Sequence, residues 1–387
     1  MNCLLSYLLL LVTYFIIAEL NAYRIVCYYQ SWAIYRPSKG LFNIADIDSS
    51  LCTHHVYAFA GVNSNGDVTI GDSYADIDLG GFSKFNAMRN QNPSIKTMIA
   101  IGGAGASSQT FSKVINDPNK RNAFANNIVN FVQKYGFNGA DIDWEYPAAF
   151  GGPASDKSAF VELVKQLRSL FNQHGYILSA AVSAGVDTID PGYDAPGLSQ
   201  YLDFINVMTY DMHGSWESKT GENSPLYAGP SDTSDFERTL NVDYAMKYWI
   251  KKGAPASKLN LGMGSYGNTF TLQSSSNNGV GAPSTGPGKA GPYTQGAGVL
   301  AYNEICEQHN AGQWTQYWNA DQKCIYASNG NQWVGFDNIA AVKIKAQYIK
   351  NNGLGGAMIW SIDMDDFRNT CGDGKYPLLN TIKTYIA

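Results

Sequence analysis

From Arg24 to the end of the chain, short and almost wholly apolar runs alternate with longer segments whose apolar residues recur every three to four positions. The runs cover 24–29, 54–60, 96–103, 139–146, 176–183, 204–211, 259–266 and 356–363, and they predict eight strands. The clearest helical pattern is 156–174, where Phe160, Val161, Leu163, Val164, Leu167, Leu170 and Phe171 recur at helical spacing; 119–135, 235–251 and 338–351 are further helices. Strands without a polar face need cover on both sides, so the alternation predicts an α/β chain folded as a parallel (β/α)8 TIM barrel. A doubly wound open sheet is the alternative, and the lack of a Gly-x-Gly-x-x-Gly pattern after the first strand counts against it.

The seventh repeat breaks the pattern. About seventy residues separate the seventh strand from the helix at 338, too many for an ordinary βα connection. They open with a Gly/Ser/Pro-rich stretch that by itself reads as a flexible linker. Val299, Leu300, Tyr302, Trp314, Tyr317, Trp318 and Trp333 give the segment apolar content of its own, which favours an inserted subdomain over about 267–337, with barrel sequence at 23–266 and 338–387.

At the amino end, residues 1–22 hold an apolar run from Leu4 to Ala18 and read as a secretory signal peptide, although no Lys or Arg precedes the run. An uncleaved anchor is the alternative; the run is short for one. A soluble, secreted, extracellular protein is expected. Cys3 leaves with the leader, so Cys27, Cys52, Cys306, Cys324 and Cys371 remain, enough for two bridges and a spare thiol whose pairing the spacing does not give. No Cys/His cluster has metal-site spacing, so no metal is expected.

Composition narrows the partner. The 387 residues carry a net charge of -5, with 15% charged and 13% aromatic residues, 25 of them Tyr. Intrinsic disorder needs low hydrophobicity and high net charge, and a nucleic-acid binder needs a basic field; neither is present. Tyr and Trp combine flat apolar area with a polar tip, which suits a neutral ligand with apolar faces and hydroxyl edges, or simply a large core.

The chemistry concentrates in Asn138-Gly-Ala-Asp141-Ile-Asp143-Trp-Glu145-Tyr-Pro147. Alternation along a strand puts Asp141, Asp143 and Glu145 on one face, neighbours ~7 Å apart, at the carboxy-terminal end where barrel enzymes gather their catalytic groups. Like charges so close cannot all ionise cheaply, so one carboxyl keeps its proton, and the outermost, Glu145, is the candidate general acid. A solvated acidic edge and a magnesium site are the competing readings.

These residues carry a resemblance. Asp-x-Asp-x-Glu-Tyr-Pro, with Ile-Gly-Gly on the third strand, Met-x-Tyr-Asp on the sixth, Gly-Gly-Ala-Met-x-Trp on the eighth and the opening YRIVCYYQSWAIYRP, resembles glycoside hydrolase family 18, the chitinases and chitinase-like lectins. The resemblance runs from about Tyr23 to the end and implies that the insertion is an α+β subdomain walling a substrate groove. It also implies substrate-assisted, retaining hydrolysis of β-1,4-linked N-acetylglucosamine, an exception to the two-carboxylate scheme. Glu145 would protonate the leaving oxygen, Asp143 would support the acetamido group that attacks the anomeric carbon, Asp141 would share a proton with Asp143, and Tyr210 would hold the attacking carbonyl. Trp360 would floor the reacting sugar; Tyr28, Phe59, Gly102, Gly103, Tyr146 and Met208 would surround it; Asp211, Trp32, Trp216 and Tyr266 would extend the groove. Cys27–Cys52 and Cys306–Cys371 match the usual bridges, leaving Cys324 as a buried free thiol.

The implied partner is chitin or a chitooligosaccharide, with no cofactor, nucleic acid or membrane, and a monomer is the default. Three positions depart from the family pattern: Asn138 replaces an Asp, Ala104 a stacking Trp, and Asn268 an Arg. The rival is a lectin-like relative that binds without cleaving; such relatives generally lose the Glu or the middle Asp, and both stand here.

Overall fold

The computed structural model describes residues 23–386; the expected leader at 1–22 lies outside them. Eight parallel strands close on themselves: Arg24–Gln30, His54–Val62, Lys96–Gly102, Gly139–Asp143, Ile177–Ser183, Phe204–Met208, Leu259–Gly264 and Gly356–Trp360, the eighth pairing back to the first. Helices follow most of these strands, so the fold is a (β/α)8 barrel. Outward-facing side chains such as Ile99, Ile101, Ile142, Val182, Val207 and Leu261 pack under the helices. Inward-facing ones, among them Val26, Val56, Met98, Ala181, Phe204 and Met358, fill the barrel.

Several strands stop short of the predicted runs. The fourth ends at Asp143, the sixth at Met208 and the eighth at Trp360, so Glu145, Tyr210 and Asp211 lie beyond the last ladder bonds. The helix expected over 235–251 begins only at Val242, capped by the Asn241 side chain on the Tyr244 N–H at 2.9 Å; a 3-10 turn occupies Glu237–Thr239. Asn is a strong N-cap because its side-chain oxygen satisfies a first-turn N–H, and here it restarts the helix where the apolar periodicity ran on unbroken.

Between the seventh and eighth barrel strands lies a second, antiparallel sheet. Its strands are Tyr266–Leu272, Ser284–Pro287, Val299–Ala301, Thr315–Asn319, Cys324–Asn329 and Gln332–Phe336, with a helix at Tyr302–Asn310. Phe270, Leu272, Ala282 and Trp333 form its own small core. One disulfide, Cys27–Cys52, joins the first barrel strand to the start of the second; the other, Cys306–Cys371, ties the inserted helix to the segment after the eighth strand, and Cys324 is free and buried. Among the described residues no helix is long and apolar enough to cross a membrane.

Where the loop after the sixth strand meets this sheet, Glu222 is fully buried. Its Oε1 accepts from Asn319 Nδ2 at 3.2 Å, and the Cys324 thiol also bonds the carboxyl. A Cβ on Gly335 would lie 2.7 Å from Oε2, so only glycine lets the strand pass that close. Burial pushes the Glu222 carboxyl up to about 8. The folded protein therefore holds this proton where the unfolded chain, ionising near 4.5, has released it. That contribution to stability is complete below the unfolded value and is lost as pH rises through about 8. Thermal melts of wild type and Glu222→Gln should show the wild type losing more Tm between pH 5 and pH 9; parallel curves would contradict the assignment.

Candidate active site

The carboxy-terminal rim of the barrel opens into a groove with a cavity volume of about 770 Å3, and Glu145, Asp143, Tyr146, Tyr210 and Trp360 are among its lining residues. A second stretch of about 540 Å3, lined by Arg36, Tyr266, Tyr293 and Gln295 among others, shares Trp32, Asp211 and Trp360 with the first. The lining of the main stretch includes Asp143, Glu145, Asp187, Asp211 and Glu217, and no Lys or Arg among the described residues.

Beneath the groove, Asp141 is fully buried and heavily bonded. Its carboxylate accepts from Tyr28 Oη at 2.8 Å, Ser179 Oγ at 2.5 Å and Asn206 Nδ2 at 3.3 Å. Asn260 Nδ2 donates to Asn206 Oδ1 at 2.9 Å and Arg24 Nε to Asn260 Oδ1 at 3.1 Å, so a polar ladder runs down the barrel. Burial raises Asp141 to about 6 against these three hydrogen bonds, which favour its ionised form.

Asp143 is 3% exposed, and its Oδ1 has no hydrogen-bond partner. Burial first, then the charges of Glu145 and Asp141, raise it well above the usual carboxylate range. Glu145 is half-buried, and burial pushes it up to about 7 despite a hydrogen bond from Tyr146. A carboxylic acid that still carries its proton near neutrality, facing a groove, is a competent proton donor.

Two glycines let this cluster close up. A Cβ on Gly102 would fall 2.0 Å from the Asp143 carbonyl oxygen, and one on Gly103 would strike the Phe59 ring at 2.5 Å; both have φ values outside the usual L-residue range, 121° and 83°. The Phe59 ring so admitted stacks on Trp360 at 5.5 Å and on Trp32 at 6.0 Å, while Trp32 and Trp360 meet at 6.2 Å tilted by 45°, so the three rings form an angled aromatic cluster. Cis peptide bonds, none before proline, follow Ala58, Glu145 and Trp360.

Of the residues expected at the site, Trp32, Phe59, Gly102, Tyr146, Met208, Tyr210, Asp211, Trp216 and Trp360 line the main stretch together with Asp143 and Glu145. Tyr266 belongs to the second stretch. Tyr28 and Asp141 lie below the floor: the strand points Tyr28 inward, 1% exposed, and its ring meets Trp360 at 5.6 Å. Asn268 does hold a polar clamp, since its Nδ2 donates to Asp211 Oδ1 at 2.9 Å, to the His213 carbonyl at 2.9 Å and to Asn223 Oδ1 at 3.1 Å. Ala104 is exposed in the groove wall. Asn138 bonds across to the third strand, its Oδ1 accepting from the Thr97 N–H at 3.0 Å.

Sequence reasoning missed Phe236 and Leu240, which line the groove from the 3-10 segment that the periodicity had assigned to a helix. It also missed Ser179, which pairs with Asp141 in strand register; that register was the only signal for it.

The family model for glycosyl hydrolases family 18 matches residues 24–365. Chitotriosidase-1 of Mus musculus is 42% identical over 374 residues, covering 94% of this chain and 78% of that protein. The Group IV chitinase of Ostrinia furnacalis superposes with a TM-score of 0.92 at 40% identity, covering 94% of this chain and 100% of that one. Human YKL-39, described as a pseudo-chitinase with retained chitooligosaccharide binding properties, superposes at 0.87 with 39% identity, covering 94% and 100%. The acid-lined groove thus sits in a sequence matched along nearly its whole length, and the chain belongs to glycosyl hydrolases family 18.

Proposed function

We propose that this chain is a secreted, monomeric chitinase that hydrolyses β-1,4-linked N-acetylglucosamine with retention, the substrate's acetamido group serving as nucleophile. The observation that carries the reading is Glu145: a carboxyl raised to about 7 on a groove floored by Trp360. Glu145 protonates the leaving glycosidic oxygen. The acetamido carbonyl oxygen attacks the anomeric carbon as that bond breaks, and water later opens the oxazolinium ring with Glu145 taking back a proton.

Asp143 has an oxygen without a partner, and turning toward the acetamido N–H supplies one while its charge offsets the cation that forms. Asp141 and Asp143 titrate as a pair, with Tyr28, Ser179 and Asn206 favouring the charge on Asp141 until Asp143 needs it. Among the described residues Tyr210 donates to the Met358 sulfur, at 3.6 Å, a weak acceptor, so exchanging it for the attacking carbonyl oxygen is favourable. The stacked Trp360, Phe59 and Trp32 rings offer the apolar faces a pyranose ring prefers.

Release of product from a fluorogenic chitobioside or chitotrioside tests the reading, with unchanged rate in EDTA. Oligosaccharide binding without turnover would instead support the lectin-like reading that YKL-39 exemplifies. The pH profile is fixed in sign. Activity, read as kcat/KM, should rise as Asp141 loses its proton near 6 and fall as Glu145 loses its own near 7. A rate still climbing above pH 9 would remove Glu145 as the acid.

A further inference from the structure

Glu145 stands two residues beyond the end of its strand, so no sheet ladder fixes it. The segment is held by side chains from elsewhere. Trp144, 1% exposed, turns away from the groove, stacks on Phe111 at 5.8 Å and meets Phe160 edge-on at 5.7 Å. Its indole N–H donates to Ser108 Oγ at 2.8 Å, and the Ser108 hydroxyl donates onward to the Tyr146 carbonyl at 2.8 Å. One turn along the same helix, Ser108–Asn116, Ser112 Oγ donates to Asp156 Oδ1 at 2.6 Å, and Asn116 Nδ2 adds a second bond at 2.6 Å. Asp156 Oδ2 accepts the Ala148 N–H at 3.0 Å.

Ser108, Ser112 and Asp156 are all buried, and none lines the groove. They grip the chain on both sides of Pro147, within three residues of Glu145. Ala148 and Phe150 there have φ of 57° and 51°, a backbone shape that non-glycine residues keep only when the surroundings fix it.

We propose that Ser108 and Asp156 are positioning residues that set the reach of the Glu145 carboxyl toward the leaving oxygen; this rests on Glu145 being the general acid. Ser108 is the more specific of the two. It must accept from Trp144 and donate to Tyr146 at once, which a hydroxyl can do and a methyl cannot. Proton transfer is sensitive to misplacement on the ångström scale, while sugar stacking on Trp360 is made by other elements. Loosening the brace therefore lowers kcat and spares KM.

The test compares wild type, Ser108→Ala and Ser108→Thr on a fluorogenic chitotrioside, with amide hydrogen exchange over 145–150. Ser108→Ala should lose about 10- to 100-fold in kcat with KM within about twofold, in the range that misplacement costs. Exchange over 145–150 should quicken, and Ser108→Thr, which keeps both bonds, should recover kcat to within about threefold of wild type. Should Ser108→Ala not fold, Trp144→Phe breaks the relay at its first link with the ring retained, and the same split is expected. A kcat within twofold of wild type, a change carried by KM, or a threonine variant no better than alanine would overturn the proposal and leave the hydrolase reading intact. Absence of wild-type turnover would sink that reading and this one with it.

Discussion

Glu145→Gln should cut kcat on chitopentaose by about 10²- to 10⁴-fold, the span that a positioned proton donor contributes. The amide keeps the size and planarity of the carboxyl and loses the acidic proton. The stacked surface of Trp360, Phe59 and Trp32 is untouched, so KM should hold within a few-fold. The loss should also depend on the leaving group. A phenolic aglycone departs with little help, whereas a sugar alkoxide needs the proton, so the defect should be greater on chitopentaose than on the fluorogenic chitotrioside. Equal losses on both would point to misfolding of the rim; no loss on either would remove Glu145 from the chemistry.

The largest expected effect on stability belongs to a buried ion pair. Lys345 is wholly buried, and its ammonium group donates to Asp337, to the Ser224 carbonyl at 2.5 Å and to Ser224 Oγ at 2.7 Å, all three of its protons placed. Asp337 is 3% exposed and its Oδ1 has no hydrogen-bond partner. Lys345→Met would leave that carboxylate without a counter-charge in the interior, at a cost of about 3–5 kcal/mol. Urea unfolding reads this directly, and the double variant Lys345→Met, Asp337→Leu should regain most of it, because an apolar pair carries no desolvation penalty. A single-variant loss under about 1 kcal/mol would show that the carboxyl adjusts by taking up a proton. Ser224 Oγ also donates to the Thr209 carbonyl at 2.6 Å, so the same lysine steadies the chain leading into Tyr210.

The barrel was legible because buried parallel strands must be apolar on both faces, and that pattern survives without any knowledge of partners. The three acids were legible for a related reason: in so apolar a run they have no structural excuse. Strand alternation placed Asp141 and Asp143 on the inner face, although Glu145 proved to stand past the strand, its direction kept by Trp144 turning outward. Contacts that depend on register or on loop path were not legible. Ser179 reaches Asp141 only because the fourth and fifth strands pair in one particular register. Phe236 and Leu240 carry helical periodicity, and only the Asn241 cap, which stops that helix short, frees them to wall the groove. Asn268 was legible only as a departure from the Arg of the family pattern; its three bonds depend on how near the Asp211 and Asn223 segments come.

The carboxyl-rich lining of the main groove has a bearing on which polymers can compete for it. Asp143, Glu145, Asp187, Asp211 and Glu217 stand along it with no Lys or Arg among them. An uncharged aminosugar chain crosses such a field at no cost, and its encounter rate should be nearly indifferent to salt. A sulfated or uronate-bearing glycan brings charge of the sign these groups carry when ionised, into a cleft whose low-dielectric walls concentrate the repulsion. On the proposed reading, the main stretch would disfavour such polyanions only once its acids are ionised, above the pH range in which Glu145 and Asp143 keep their protons.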